Sequence, residues 1–338
     1  MKSTLQLSSK LSMTLTAIML AISGATCAAP PAYKIVDTIA IGGAARWDYL
    51  YMDSNAHRLY VSHGTQTEVI DTASNKVIGT IANTMGVHGI AIANELGLGF
   101  TSDGTTNSVS VFDLATLKVT GSIKVGTRPD AIVYAPASHK VVAFNGGSKN
   151  ASIIDAKTLK VVATVAVGGT PEYAAVAADG NVYFNVEDTS QIAAINLTTN
   201  KLSPAHTLKP CEEPTGLAID NQQRLISVCA NKLMMISTTT GNVVASAAIG
   251  NGPDGVAYMD GVAFSSNGAD GTLTAVAEVN GKFEVVATIP SQIGARTITA
   301  DPATHRLYLP TADYKAATAT EKRQGIVDTF RVLVVQQQ

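Results

Sequence analysis

Seven stretches of this chain repeat one another, and their spacing leaves few folds open. The first copy is Arg46-Trp47-Asp48-Tyr49-Leu50-Tyr51-Met52-Asp53, followed by Arg58-Leu59-Tyr60-Val61-Ser62-His63. Later copies begin at Val87-His88-Gly89-Ile90, Arg128-Pro129-Asp130-Ala131, Thr170-Pro171-Glu172-Tyr173, Glu213-Pro214-Thr215-Gly216, Gly252-Pro253-Asp254-Gly255 and Ala295-Arg296-Thr297-Ile298. Aligning them makes Asp48, His88, Asp130, Glu172, Thr215, Asp254 and Arg296 equivalent, at separations of 40, 42, 42, 43, 39 and 42 residues. A fixed period near forty, made of short apolar runs and polar turns, is the mark of an all-β, seven-bladed β-propeller.

Each copy reads as four strands. The inner one follows the Asp48-type position, and the second ends at His63-type positions. The third is Glu68-Val69-Ile70, Val109-Ser110-Val111-Phe112, Ser152-Ile153-Ile154 or Leu233-Met234-Met235-Ile236. The fourth is an alternating strand such as Lys76-Val77-Ile78-Gly79-Thr80-Ile81, introduced by turns opening on Asp71, Asp113 and Asp155. Aspartate suits such turns because its carboxylate bonds backbone N–H groups just ahead of it. The last copy lacks a fourth strand after Phe330-Arg331-Val332-Leu333-Val334-Val335, whereas residues 34–41 form a strand that precedes the first copy. Pairing the two closes the ring and removes two edges that would otherwise recruit other chains. In the last copy residues 312–328, with Glu321-Lys322-Arg323, separate the second and third strands. They read first as a tolerated surface insertion and second as a rim lid.

A single all-β domain can absorb 338 residues. With 5% aromatic residues, its core must rest on small and β-branched side chains. A net charge of −2 gives no electrostatic footprint for nucleic acid or anionic lipid. Residues 1–29 read as a cleaved signal: Lys2 and Lys10 are the positive region, residues 15–22 the apolar run, and Ser23-Gly24-Ala25-Thr26-Cys27-Ala28-Ala29 the cleavage region. The apolar run falls well short of the roughly 20 residues that span a bilayer. Gly24-Ala25-Thr26 lacks the aliphatic residue of lipidated signals, which argues against lipidation of Cys27. The expected organisation is a signal at 1–29 and a propeller over 33–338, periplasmic or secreted.

The second strands Arg58-Leu59-Tyr60-Val61-Ser62, Gly99-Phe100-Thr101-Ser102, Val182-Tyr183-Phe184-Asn185 and Arg306-Leu307-Tyr308-Leu309 resemble those of the YVTN-repeat family of seven-bladed, YncE-like periplasmic propellers. Tyr60-Val61-Ser62-His63 stands nearest to the Tyr-Val-Thr-Asn string itself. The resemblance covers essentially all of the chain after the signal. It implies the fold and export, and it brings binding roles, DNA association among them, but no catalytic motif.

Propellers bind ligands where the loops leading into the inner strands converge. The ring Asp48, His88, Asp130, Glu172, Thr215, Asp254 and Arg296 is therefore expected at one channel mouth, bordered by Trp47, Arg46 and Arg128. The ends of the second strands, His63, Asp103, Asn145, Cys229, Asn267 and Thr311, are expected on the same face. Converging carboxylates raise one another's pKa or hold a cation. Oxygens from Asp, Glu, Asn145 or Asn267 would suit a hard divalent cation, and His63 and His88 with Asp130 or Asp254 a transition metal. The competing reading is structural: an Asp after Pro, as in Arg128-Pro129-Asp130, can cap backbone N–H groups where each inner strand starts. Arg296 can neutralise the acids, while Arg46 and Arg128 could hold a carboxylate or phosphate. His57, His139 and His305 fall in turns on the opposite face and read as solvated.

Cys211 precedes the fifth inner strand and Cys229 ends its neighbour, so a disulfide fits; a soft-metal pair or a free thiol is the alternative. No Gly-x-Ser-x-Gly, His-Glu-x-x-His, Gly-x-x-x-x-Gly-Lys or Cys-x-x-Cys-His motif occurs. The expected function is a binding or scaffolding propeller holding a small molecule, a divalent cation or a partner peptide at the mouth. The alternatives are a metal-assisted lactonase or lyase, with His88 or Glu172 as base and Asp130 and Asp254 on the ion, and DNA binding on the opposite face.

Overall fold

The computed structural model describes residue 1, residues 32–316 and residues 323–338. The rest of the expected signal, with Cys27, and Glu321-Lys322 of the last-blade insertion lie outside the described residues.

The strands form seven separate sheets arranged as a seven-bladed propeller. Blade 1 runs from the axis outward through Leu50–Asp53, Arg58–His63, Gln66–Asp71 and Lys76–Ala82. The meander repeats in blades 2 to 6, whose inner strands are Val87–Ala93, Pro129–Ala135, Pro171–Val176, Pro214–Ile219 and Pro253–Met259. Burial follows position. The second strand of blade 3, Lys140–Asn145, is buried along nearly its whole length, whereas the outer strand Lys160–Ala166 is largely exposed. Phe100 and Phe112 of blade 2, Phe144 of blade 3, Phe184 of blade 4 and Phe264 of blade 6 are fully buried and supplement Val, Ile and Ala. Blade 4 departs from the pattern: its outer edge is broken into Lys201–Leu202 and His206–Thr207, around Pro204, which has no N–H for the ladder.

Blade 7 is assembled from both ends of the chain. Its order from the axis is Thr299–Asp301, Arg306–Thr311, Arg331–Gln337 and then Tyr33–Ala40. The last two pair antiparallel from Tyr33 opposite Gln337 to Ala40 opposite Arg331, with a bulge between Ile35 and Asp37. Ile39 is 3% exposed and joins Trp47, Tyr308 and Phe330 in one apolar cluster, so the closing strand contributes core as well as hydrogen bonds.

The turns before the outer strands form as their aspartates predict. Asp71, Asp113 and Asp155 each accept the backbone N–H three residues on, from Ser74, Thr116 and Thr158, at 2.7 Å. The basic residues after the inner hairpin turns, left unassigned by sequence, clasp the next blade. Arg58 donates to the Leu114 carbonyl at 2.6 Å, Lys140 to Asn200 at 3.0 Å, and Arg306 to the Thr72 carbonyl at 3.4 Å.

Cys211 and Cys229 form a disulfide, with Cα atoms 5.6 Å apart. Both are fully buried in the blade 5 cluster with Leu208, Leu217 and Met234.

Two tests follow from this architecture. Deleting residues 33–41 leaves blade 7 with an open edge and removes Ile39 from the core; calorimetry should show loss of the cooperative transition, not a small shift of it. Replacing Cys211 and Cys229 with alanine frees a loop of 18 residues. Denaturant melts should register a loss of about 2–4 kcal/mol, and a variant of unchanged stability would assign the bond no structural weight.

Candidate functional site

At the axis, the seven equivalent positions start the inner strands, and six of them carry the site. Prolines at 129, 171, 214 and 253 open four of these strands, and each pairs with the end of its neighbouring second strand. This fixes the following residue, Asp130, Glu172, Thr215 or Asp254, at the rim of the channel.

The ring is knitted by side-chain contacts. His88 Nδ1 lies 2.5 Å from Asp48 Oδ2 and 3.6 Å from Asp130 Oδ1. Arg296 donates to Asp254 at 2.7 Å, sits 3.6 Å from Asp48, and bonds the Trp47 carbonyl at 2.9 Å. Tyr49 donates its hydroxyl to Glu172 at 3.2 Å. The chain thus sets four carboxylates against one guanidinium and one imidazole. Asp48, His88 and Asp130 each offer a ligand atom within 4.8 Å of the other two. Asp130 Oδ1 is buried without a hydrogen-bond partner.

Burial and mutual repulsion act on these groups together. Burial, then the nearby Asp130, Glu187, Asp254 and Asp48 carboxylates, push Glu172 from 4.5 up to about 9. Burial and Asp48 push Asp130 from 3.8 up to about 6. Burial also raises Asp254, against the opposing pull of Arg296. Burial disfavours a charged His88, but its hydrogen bond to Asp48 and the Asp130 carboxylate outweigh it and raise His88.

At two strand starts the capping expected of the ring acids is done by serines instead. Among the described residues, the backbone N–H groups of Asp48 and Gly89 are capped by Ser62 and Ser102, each at 2.8 Å. Small polar residues at this position, one before the second-strand end, also staple blades. Ser102 donates to the Asp130 carbonyl and Ser266 to the Arg296 carbonyl, and Asn185 reaches the Thr215 carbonyl at 2.7 Å. The recurrence of a small polar residue at this position was the signal for them.

The second-strand ends do not feed the mouth. His63, Asp103, Asn145 and Asn267 are buried and bond the facing third strand, through Glu68, Ser110, Ser152 and Thr274. Both nitrogens of His63 are engaged, one at 2.8 Å from Glu68 and the other at 2.8 Å from the Ala44 carbonyl. His63 therefore takes no part with His88, and no asparagine oxygen joins the carboxylates. Asp103 is pushed up to about 6 by burial, inside its blade. Cys229 is committed to the disulfide.

Other ring members divide similarly. Thr215 occupies its ring position, but its hydroxyl bonds the Pro253 carbonyl at 3.1 Å. Arg128 is exposed at a left-handed backbone position, while the ion pairs of the ring are made by His88 and Arg296. Arg46 is exposed too, yet it lines a pocket of about 280 Å³ with Trp47, Asp48, His88, Arg296 and Tyr314. Trp47 is 5% exposed, stacked on Phe330 with centroids 5.2 Å apart, and lies 5.8 Å from the Arg296 guanidinium. Tyr314 comes from the base of the last-blade insertion, which is tied down by bonds from Lys315 to the Gln324 carbonyl and from Ile326 to the Asp313 carbonyl. Among the described residues of that insertion, Tyr314 borders the mouth.

Comparison with solved structures finds the same fold elsewhere. A Kuenenia stuttgartiensis hydrazine synthase matches with a TM-score of 0.70 at 15% identity, over 79% of this chain and 92% of that one. U3-55K matches with a TM-score of 0.74 at 7% identity, over 88% and 97% of the two chains. The RRP9 WD40 repeats match with a TM-score of 0.76 at 7% identity, over 91% and 99%. At such identities the likeness establishes the propeller fold alone. No protein-family model matches the sequence, and no curated protein matches it.

The raised Glu172 has a consequence for stability. Its folded state favours the protonated form, so its stabilising contribution is complete below 4.5 and is lost as pH rises toward about 9. Glu172→Gln should remove that slope. Melting curves should show the variant overtaking the parent at alkaline pH, by about 2–4 °C for each kcal/mol relieved, with little difference in mild acid. Parallel pH profiles for the two proteins would contradict the assignment.

Proposed function

We propose that this chain is an exported propeller of the YVTN-repeat, YncE-like kind, and that its polar mouth binds a divalent transition metal on Asp48, His88 and Asp130. The single observation that carries the reading is the convergence of one imidazole and two carboxylates within 4.8 Å. The unpartnered buried oxygen of Asp130 supports it. One nitrogen and two oxygens suit a borderline ion such as Zn²⁺, with an open position facing the mouth for a small ligand or a partner's side chain. The pocket beside it, walled by Trp47 and Tyr314 and edged by Arg46 and Arg296, would orient that ligand's body.

Export is supported by the Cys211–Cys229 disulfide, which suits an oxidising compartment, and by the signal-like residues 1–29. Among the described residues no helix is long and apolar enough to cross a membrane. A binding role is favoured over a lactonase or lyase because Asp254, the second acid such an ion would need, is held by Arg296.

Protein stripped with a chelator should gain thermal stability on adding Zn²⁺ or Mn²⁺, saturating at one ion per chain. Bound metal competes with protons on His88 and Asp130, so affinity should be greater at about pH 8 than at about pH 6. His88→Ala should abolish the shift while remaining folded. No shift with Zn²⁺, Mn²⁺, Cu²⁺ or Ca²⁺ would remove the metal reading.

A further inference from the structure

The position just inside the acid ring is occupied by Tyr49, Gly89, Ala131, Tyr173, Gly216, Gly255 and Thr297. Only blades 1 and 4 place a large side chain there, and those blades are not neighbours. Their tyrosines nevertheless meet edge to face, with ring centroids 4.7 Å apart and planes at 83°. The pair spans the axis and obstructs the channel beneath the ring.

Small residues in the other blades let the strands draw in around this plug. A Cβ on Gly216 would lie 2.8 Å from the Gly255 backbone, and one on Gly89 would lie 2.8 Å from Ile132 and 3.1 Å from the Asp130 carbonyl. Tyr49 is only 8% exposed and is anchored from above through Glu172.

Beyond the plug the channel widens again into a chamber of about 330 Å³, within the size range of small-molecule sites. Its walls come from the inner strands of blades 1 to 4, with Thr299 of blade 7. Tyr51, Ile90, Ile132, Val133 and Val176 are among them, and none of its lining residues is charged. Such walls carry no charge to offset the dehydration of an ion. Flat rings gain most from this lining, through edge and face contacts with tyrosine. Burial, then nearby carboxylates, raise Tyr51 and Tyr173, so both hydroxyls keep their protons to donate. They remain available to one polar group on an occupant.

We propose that this chamber is a second binding site, separate from the mouth, for a neutral aromatic molecule carrying one hydrogen-bonding group, a phenol being the simplest case. The uncharged tyrosine-rich lining, the volume and the plug that isolates it carry the assignment. It does not depend on metal at the mouth.

The full chain should be titrated with the neutral fluorophore N-phenyl-1-naphthylamine, with p-cresol as competitor. One saturable site per chain is expected, with the same affinity in chelator-treated and Zn²⁺-treated protein. p-Cresol should displace the probe, whereas benzoate and benzylamine should not. Val133→Trp fills the chamber and should weaken probe binding at least about tenfold at unchanged melting temperature. If that variant does not fold, Thr299→Phe serves the same purpose. Tyr51→Phe should weaken p-cresol competition and spare the probe. Absence of saturable binding to the parent overturns the proposal. So does undiminished binding by a folded chamber-filling variant, or displacement by benzoate as effective as by p-cresol.

Discussion

Everything in this molecule depends on the hydrogen-bonded seam between Tyr33–Ala40 and Arg331–Gln337. Each blade packs its faces on two neighbours, so a ring left open at one blade would expose two apolar faces and two unpaired edges at once. Closing it joins residues separated by nearly the whole chain, at a loop-closure cost that rises only slowly with length. Buried apolar area across the interfaces offsets that cost. The clasps from Arg58, Lys140 and Arg306 and the staples from Ser102, Asn185 and Ser266 then fix how each blade is turned relative to the next.

That rigidity permits the mouth. Four carboxylates would drift apart on a flexible scaffold; here the prolines that open the inner strands and the serine caps hold them in place. Burial first, and then the resulting repulsion, displace Asp130 and Glu172 upward. Arg296 relieves one side of the ring, at Asp48 and Asp254, and leaves Asp130 facing only the His88 imidazole at 3.6 Å, while Glu172 meets the Tyr49 hydroxyl. The asymmetry of the charge, more than its amount, marks out the side where a ligand would sit.

The period near forty was enough to read the blade count, the strand order and the origin of the missing outer strand, because each depends on pattern and connectivity. The Cys211–Cys229 bond was legible for the same reason: hairpin geometry brings those two positions together. Side-chain direction was not legible. His63 and Asn145 sit at the correct end of the correct strand, but the pleat turns them into the blade, toward Glu68 and Ser152. One residue earlier, Ser62 and Ser102 face the inner strands and take the capping role assigned to the acids. The tyrosine pair was visible only as two exceptions, Tyr49 and Tyr173, in a column otherwise filled by Gly, Ala and Thr.

The closed pair at the axis also governs kinetics. With Tyr49 and Tyr173 in contact, a molecule entering among the carboxylates would find its way onward obstructed. Residence time there would then depend on the doorway framed by Trp47, Tyr314 and Arg46 more than on throughput along the axis. A propeller so divided behaves as two cups set base to base, not as a pipe.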